Sequence, residues 1–228
     1  MAEWRFLAGW SAHGLRSRLL ALDDAETNFD AVEQEMTCDR GWRHYHSEAV
    51  IGSEPDGDVL LERARVAIAN YQFSDPSIVV AHFDPASALL TRRMLLEVKV
   101  LGLRYLCPAV VRRVRDEPRA YGFRYDTLTG HIERGVEWFL LTKDDHGDIR
   151  FRIEARWQHG DLPNWWSRAG FAVLAARYQR EWHRRAHQRM ALLARYGSLR
   201  PPRADAAGLT HQGIDVTFTE HTTRSAIP

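Results

Sequence analysis

The tightest constraint on this chain is a stretch, 149–158, that alternates without a break. Ile149, Phe151, Ile153, Ala155 and Trp157 hold one set of positions, and Arg150, Arg152, Glu154, Arg156 and Gln158 hold the other. A period of two puts each set on its own face of an extended chain, the pattern of a strand buried on one side. Just before it, Asp144-Asp145-His146-Gly147-Asp148 is a polar turn containing glycine. Residues 136–143 and 149–158 are therefore predicted to form an antiparallel hairpin. Extended back to 119, the segment reads as three consecutive strands.

A long helix follows. Across 165–196, Trp166, Phe171, Leu174, Tyr178, Trp182, Ala186, Met190 and Leu193 recur at helical steps, with Arg177, Arg180, Glu181, Arg184 and Arg185 opposite. Pro163 and Asn164 offer start chemistry, Gly197 stops the helix and Pro201-Pro202 prevents its resumption. Upstream, strands are predicted at 44–51, 78–83, 95–101 and 105–115, the last interrupted by Pro108. A helix at 59–73 places Leu60, Ala64, Ala67 and Tyr71 on one face, with Asp58 as its cap. Residues 1–43 read as an arm: Trp4, Phe6 and Trp10 anchor its start and Ser11 caps a short helix at 12–22. The body spans 44–196. The stretch 197–228 reads as a mobile tail, in which Ile214, Val216 and Phe218 could instead form a short strand.

Composition excludes several classes. The 228 residues carry a net charge of +1, which argues against a general nucleic-acid binder. The arginines at 112, 113 and 115 and from 180 to 195 read as a solvated basic face. Two cysteines are too few for a disulfide framework, and a reduced, cytoplasmic setting fits them; Cys107 reads as an inert core thiol. A charged leader and an apolar run of membrane length are both lacking, so neither export nor a span is expected. The common phosphate loop, serine elbow and CxxC patterns do not occur, and no cofactor is expected. His183 and His187, four apart on a helix, could share a metal, but arginines flank them and no third ligand is suggested, so no metal is expected. Trp165-Trp166 reads as a helix anchor rather than a membrane or partner contact.

The order of strand, helix, five or six antiparallel strands and long C-terminal helix resembles the helix-grip architecture of Bet v 1-like and START-like (SRPBCC) proteins. That implies an α+β fold in which a curved antiparallel sheet wraps a long C-terminal helix. More narrowly, GWRHYHSEAVIG, LLERARVAIANYQF and YGFRYDTLTGHIERGVEWF resemble DUF1990, an uncharacterised domain family. The most diagnostic residues are Gly122, Phe123, Tyr125, Thr127, Leu128, Gly130, His131 and Glu133, within a resemblance covering roughly 42–195. The chain departs from the pattern at Asp126 and Val136, where glycine and an acidic residue are expected. The resemblance implies a fold and a candidate turn, and no reaction.

Chemistry concentrates at that turn. His131 and Glu133 lie two apart in extended chain and point to one side, so the carboxylate could orient the imidazole or raise its pKa for general acid/base work. Glu137 continues the same parity. The alternative is a turn histidine that bonds backbone. Tyr105, Tyr121, Phe123, Tyr125, Trp138 and Tyr178 are candidates to line a ligand cavity, or plain core. The first functional reading is binding of a small apolar molecule between sheet and helix. The second is a proton-transfer enzyme of cyclase, dehydratase or isomerase type in the same cavity, using His131 and Glu133. The third is a protein-interaction module without a cavity. Oligomeric state and ligand are not readable from these residues.

Overall fold

A computed structural model describes residues 2–160, 165–199 and 214–221, excluding the side chains of 165–176 and 221. In chain order the elements are β1 (Glu3–Phe6), α1 (Ala12–Leu20), β2 (Arg43–Ser53), α2 (Val59–Ala69), β3 (Val79–His82) and β4 (Arg93–Val100). They continue with β5 (Leu103–Glu117), β6 (Ala120–Thr127), β7 (Glu133–Lys143), β8 (Asp148–His159), α3 (Trp165–Tyr196) and β9 (Thr217–His221). Among the described residues, nine strands pair into one antiparallel sheet of order β3-β4-β5-β6-β7-β8-β2-β9, with β1 added alongside β5.

The alternation of β8 sets the facing of its neighbours. Ile149, Phe151 and Ile153 are fully buried, and the register Phe139↔Ile153 and Leu141↔Phe151 carries the same face across β7. Against that face α2 lays Leu61, Ala64, Ala67 and Ile68, and α3 lays Trp182, Ala186, Met190 and Leu193. Phe73 sits at the centre of the core: its ring lies 4.8 Å from Phe139, 5.3 Å from Phe151 and 6.4 Å from Trp182. This is the α+β helix-grip arrangement, a curved antiparallel sheet closed over its C-terminal helix.

Several local expectations are corrected. Pro108 does not interrupt β5; it pairs with Leu95 and its carbonyl accepts from Leu128 N–H at 2.9 Å. On that flank pairing passes from β1, ending at Leu106, to β6, starting at Ala109, so a missing N–H costs no ladder bond. The second helix stops at Ala69, and Tyr71 beyond it turns with φ of 55°. Asp58 makes no cap bond: Glu54 Oε2 takes the Leu60 N–H at 2.8 Å, while Asp58 pairs with Lys143 at 2.9 Å. Ser11 does cap α1, accepting from Gly14 N–H at 3.1 Å. Trp4 and Phe6 are not buried anchors; they ride on β1 with 38% and 61% exposure. Residues 217–221 form β9 beside β2, so the strand starts three residues later than Ile214. The helix start at Pro163–Asn164, the side chains of Trp165, Trp166, Phe171 and Leu174, and the tail at 200–213 and 222–228 lie outside the described residues.

The arm is stitched to the β6–β7 end of the sheet. Thr27 bridges Leu128, Asn28 Nδ2 donates to Glu133 O at 2.9 Å, and Thr129 N–H donates to Glu26 O at 2.9 Å. On the outer face Glu33 accepts from Arg124 at 2.6 Å and from Trp138 Nε1 at 3.0 Å. These bonds hold the turn that carries the candidate chemistry.

A candidate ligand cavity under the β6–β7 turn

The turn is held by its backbone. His131 N–H closes onto Leu128 O at 3.0 Å, and Gly130 takes φ of 96°, a conformation open to glycine. His131 is buried, and its Nδ1 accepts the Glu133 backbone N–H at 2.9 Å. An acceptor Nδ1 in a neutral ring leaves the proton on Nε2. Burial pushes the His131 pKa down to about 4, so the ring is neutral near pH 7. The expected rise from the Glu133 carboxylate is thus reversed: the contact between the two residues is backbone to ring, and desolvation dominates.

The carboxyls carry the larger surprise. Glu137 sits on the core face of β7 opposite Tyr125, whose hydroxyl donates to Glu137 Oε2. Burial pushes the Glu137 pKa up to about 8, against the lowering effect of that bond. Burial likewise pushes partly buried Glu133 up to about 7, with Arg43 opposing. The Tyr125 phenol is held well above its usual range by burial and then by Glu137, so it remains a donor. At neutral pH this wall presents a protonated carboxyl, a phenol and a neutral imidazole.

These groups border a half-open cavity of about 120 Å³ that Val98 of β4, Tyr71, and Tyr178 and Trp182 of α3 also line. For scale, an engineered apolar cavity of roughly 150 Å³ holds benzene. Of the residues singled out from sequence, His131, Glu133, Tyr125 and Tyr178 meet here. Phe123 and Tyr105 are packed in the adjoining core. Tyr121 lies elsewhere on β6, beneath the Arg65 guanidinium at 5.3 Å. Trp138 faces the other side of the sheet: it pairs with Arg124, one position out of phase with Tyr125 and Glu137. A wider groove of about 1250 Å³ borders α1 and the β3–β4 connection, but Arg92 there donates to Ala69 O and Ser87 O and Arg93 pairs with Asp23, which are structural ties.

His183 and His187 form an unforeseen second layer. Both are fully buried, and Ser47 Oγ lies 2.7 Å from His183 Nδ1 and 2.9 Å from His187 Nε2. Burial pushes His187 down to about 3 and His183 well below its ordinary value, so both rings are neutral. His183 borders the cavity. Among the described residues, no three His, Cys, Asp or Glu side chains gather to hold a metal ion.

Residues 27–189, which include every residue of this site, match the family described as Domain of unknown function (DUF1990). The chain belongs to that family. The match begins fifteen residues before the resemblance seen in sequence, and so takes in the part of the arm that bridges the turn. A stretch of 149 residues is 32% identical to the UPF0548 protein of Deinococcus radiodurans, covering 60% of this chain and 72% of that one. Among solved structures, hypothetical protein jhp0584 from Helicobacter pylori is similar at a TM-score of 0.47 and 12% identity, over 75% of this chain and 100% of that one. Ara h 8.0201 is similar at 0.40 and 12%, over 68% and 98%, and human STARD10 at 0.42 and 10%, over 92% and 88%. All three scores lie below 0.5, and the fold described above rests on its own strand order and register.

Proposed function

We propose that the chain binds a small uncharged molecule with an apolar body in the cavity under the β6–β7 turn, its polar end meeting Glu137 and Tyr125. The observation that carries this reading is the buried Glu137 carboxyl. A carboxyl raised to about 8 is protonated at pH 7 and can donate a hydrogen bond without bringing charge into the cavity. A carboxylate ligand would gain a donor there, but would also lie beside Glu133, raised only to about 7 and partly ionised. A neutral alcohol, ketone or amide fits both groups. Val98, Leu96 and Trp182 supply the apolar walls. The test is native mass spectrometry of the purified chain against a denatured control, with Glu137→Leu alongside. A released neutral compound carried by wild type and lost from the variant supports the reading. An identical compound carried by both places the polar contact elsewhere.

A second reading, proton transfer on the bound molecule, is favoured by one observation. Glu133 and Glu137 share a face of β7 beside the cavity, and burial holds both carboxyls above their ordinary range, where a carboxyl can take or give a proton near neutral pH. In that reading one of the two carboxyls takes a proton from the ligand while the other donates one, and His131, neutral with its proton on Nε2, supports the pair.

A further inference from the structure

The corner where β1 ends and β4 turns into β5 spends stability without gaining burial. Phe6, Leu7 and Leu101 are 61%, 67% and 67% exposed, with Trp4 beside them at 38%. Leu7 and Leu101 both lie in the left-handed region, with φ of 58° and 49°. At Leu101 the two-residue hairpin turn requires that conformation, Gly102 following at 81°; at both positions a non-glycine residue is strained by its Cβ, and packing offers no compensation for an exposed side chain. The corner is tied together by its backbone. Leu7 N–H donates to Gly102 O at 2.7 Å, and a Cβ on Gly102 would lie 3.2 Å from Leu7 Cδ2 and 3.4 Å from Phe6 Cε2. The side chains are therefore gathered into one projecting apolar tip.

Its collar is cationic. Arg5 donates to Gly9 O at 3.1 Å and Lys99 to Pro76 O at 2.8 Å, and neither is paired with a carboxylate among the described residues. The tip exposes on the order of a few hundred Å², below the roughly 800 Å² per partner of a stable protein interface. A narrow projecting apolar tip ringed by cations matches the boundary layer of an anionic bilayer, where apolar side chains enter and Lys and Arg meet headgroups. Among the described residues no helix is long and apolar enough to cross a membrane, so the contact would be superficial. Tyr178 is common to both places: with Leu7 and Leu101 it borders one hollow of about 240 Å³, and it also borders the cavity.

We propose that this corner is a membrane-surface contact, in which Phe6, Leu7 and Leu101 enter an anionic bilayer and Arg5 and Lys99 meet its headgroups. The experiment compares the full chain with Leu7→Gly/Leu101→Gly by flotation with vesicles of phosphatidylcholine alone or with phosphatidylserine added. Wild type is expected to bind the mixed vesicles more tightly than the neutral ones. The variant is expected to bind them at least about tenfold more weakly, since a buried leucine side chain contributes that much or more. Its melting point should hold or rise, because glycine relieves the positive φ. If glycine lowers it, Leu7→Asn/Leu101→Asn, also tolerated at positive φ, repeats the comparison with a polar side chain. The proposal is overturned if wild type binds neither vesicle, if variant and wild type bind alike, or if wild type proves to be a dimer that the variant disperses. None of these outcomes depends on what the cavity holds.

Discussion

Replacing Glu137 by Gln keeps the side-chain volume and the acceptor for the Tyr125 hydroxyl, and removes one proton equilibrium. In the unfolded chain Glu137 titrates near its ordinary 4.5; in the fold, burial moves it to about 8. Between those values the native state holds a proton that the unfolded state has released. Unfolding therefore becomes easier as pH rises through the window, by ~1.4 kcal/mol for each unit. Above about pH 8 the loss is complete, on the order of 5 kcal/mol, because the native state must then hold a buried carboxylate. The Glu137→Gln variant escapes that loss. Glu133 titrates in the same window in both proteins, and its repulsion with an ionised Glu137, absent from the variant, adds to the separation in the same direction. Urea unfolding of wild type and variant at about pH 5, 7 and 9 measures it. The curves should nearly superimpose at the lowest pH and separate steadily, with the variant more stable at the highest. A difference that does not change with pH, or a variant less stable at pH 9, would refute the reasoning.

Other outcomes follow from the same geometry. Phe151→Ala should destabilise by about 3–5 kcal/mol as a core truncation, while Arg152→Ala, which loses only a surface pair with Glu48 at 2.8 Å, should cost less than about 1 kcal/mol; denaturant midpoints compare them. Ser47→Ala strips His183 Nδ1 and His187 Nε2 of their shared partner and should cost about 1–3 kcal/mol, read by thermal melts. Tyr125→Phe removes the bond that lowers Glu137, so in that background the pH window separating Glu137→Gln from its parent should move upward.

The legible part of this molecule is the part whose side chains repeat. Alternation across 149–158 yields β8 and, through the hairpin, β7; the helical spacing of Trp182, Ala186, Met190 and Leu193 yields the buried stripe of α3. β1 and β9 are too short to show a period, and they join the sheet through backbone bonds to β5 and β2. In sequence His183 and His187 keep company with Arg184 and Arg185. At 100° per residue they lie instead next to Trp182 and Ala186, inside the stripe. Residue type alone groups Trp138 with the cavity, whereas its parity already sets it on the outer face. Glu137 shares the parity of Phe139 and Leu141, a carboxyl among core positions. Its partner Tyr125 appears only once the register of β6 on β7 is known.

The central claim is that a carboxyl at the cavity wall stays protonated at neutral pH. Carbon NMR of isotope-labelled glutamate side chains, titrated from about pH 4 to 10, tests it directly. One resonance should titrate near 8 in wild type and vanish in Glu137→Gln. If every glutamate carboxyl of the folded wild type instead titrates in the ordinary range near 4.5, the neutral donor does not exist and the ligand reading built on it is wrong.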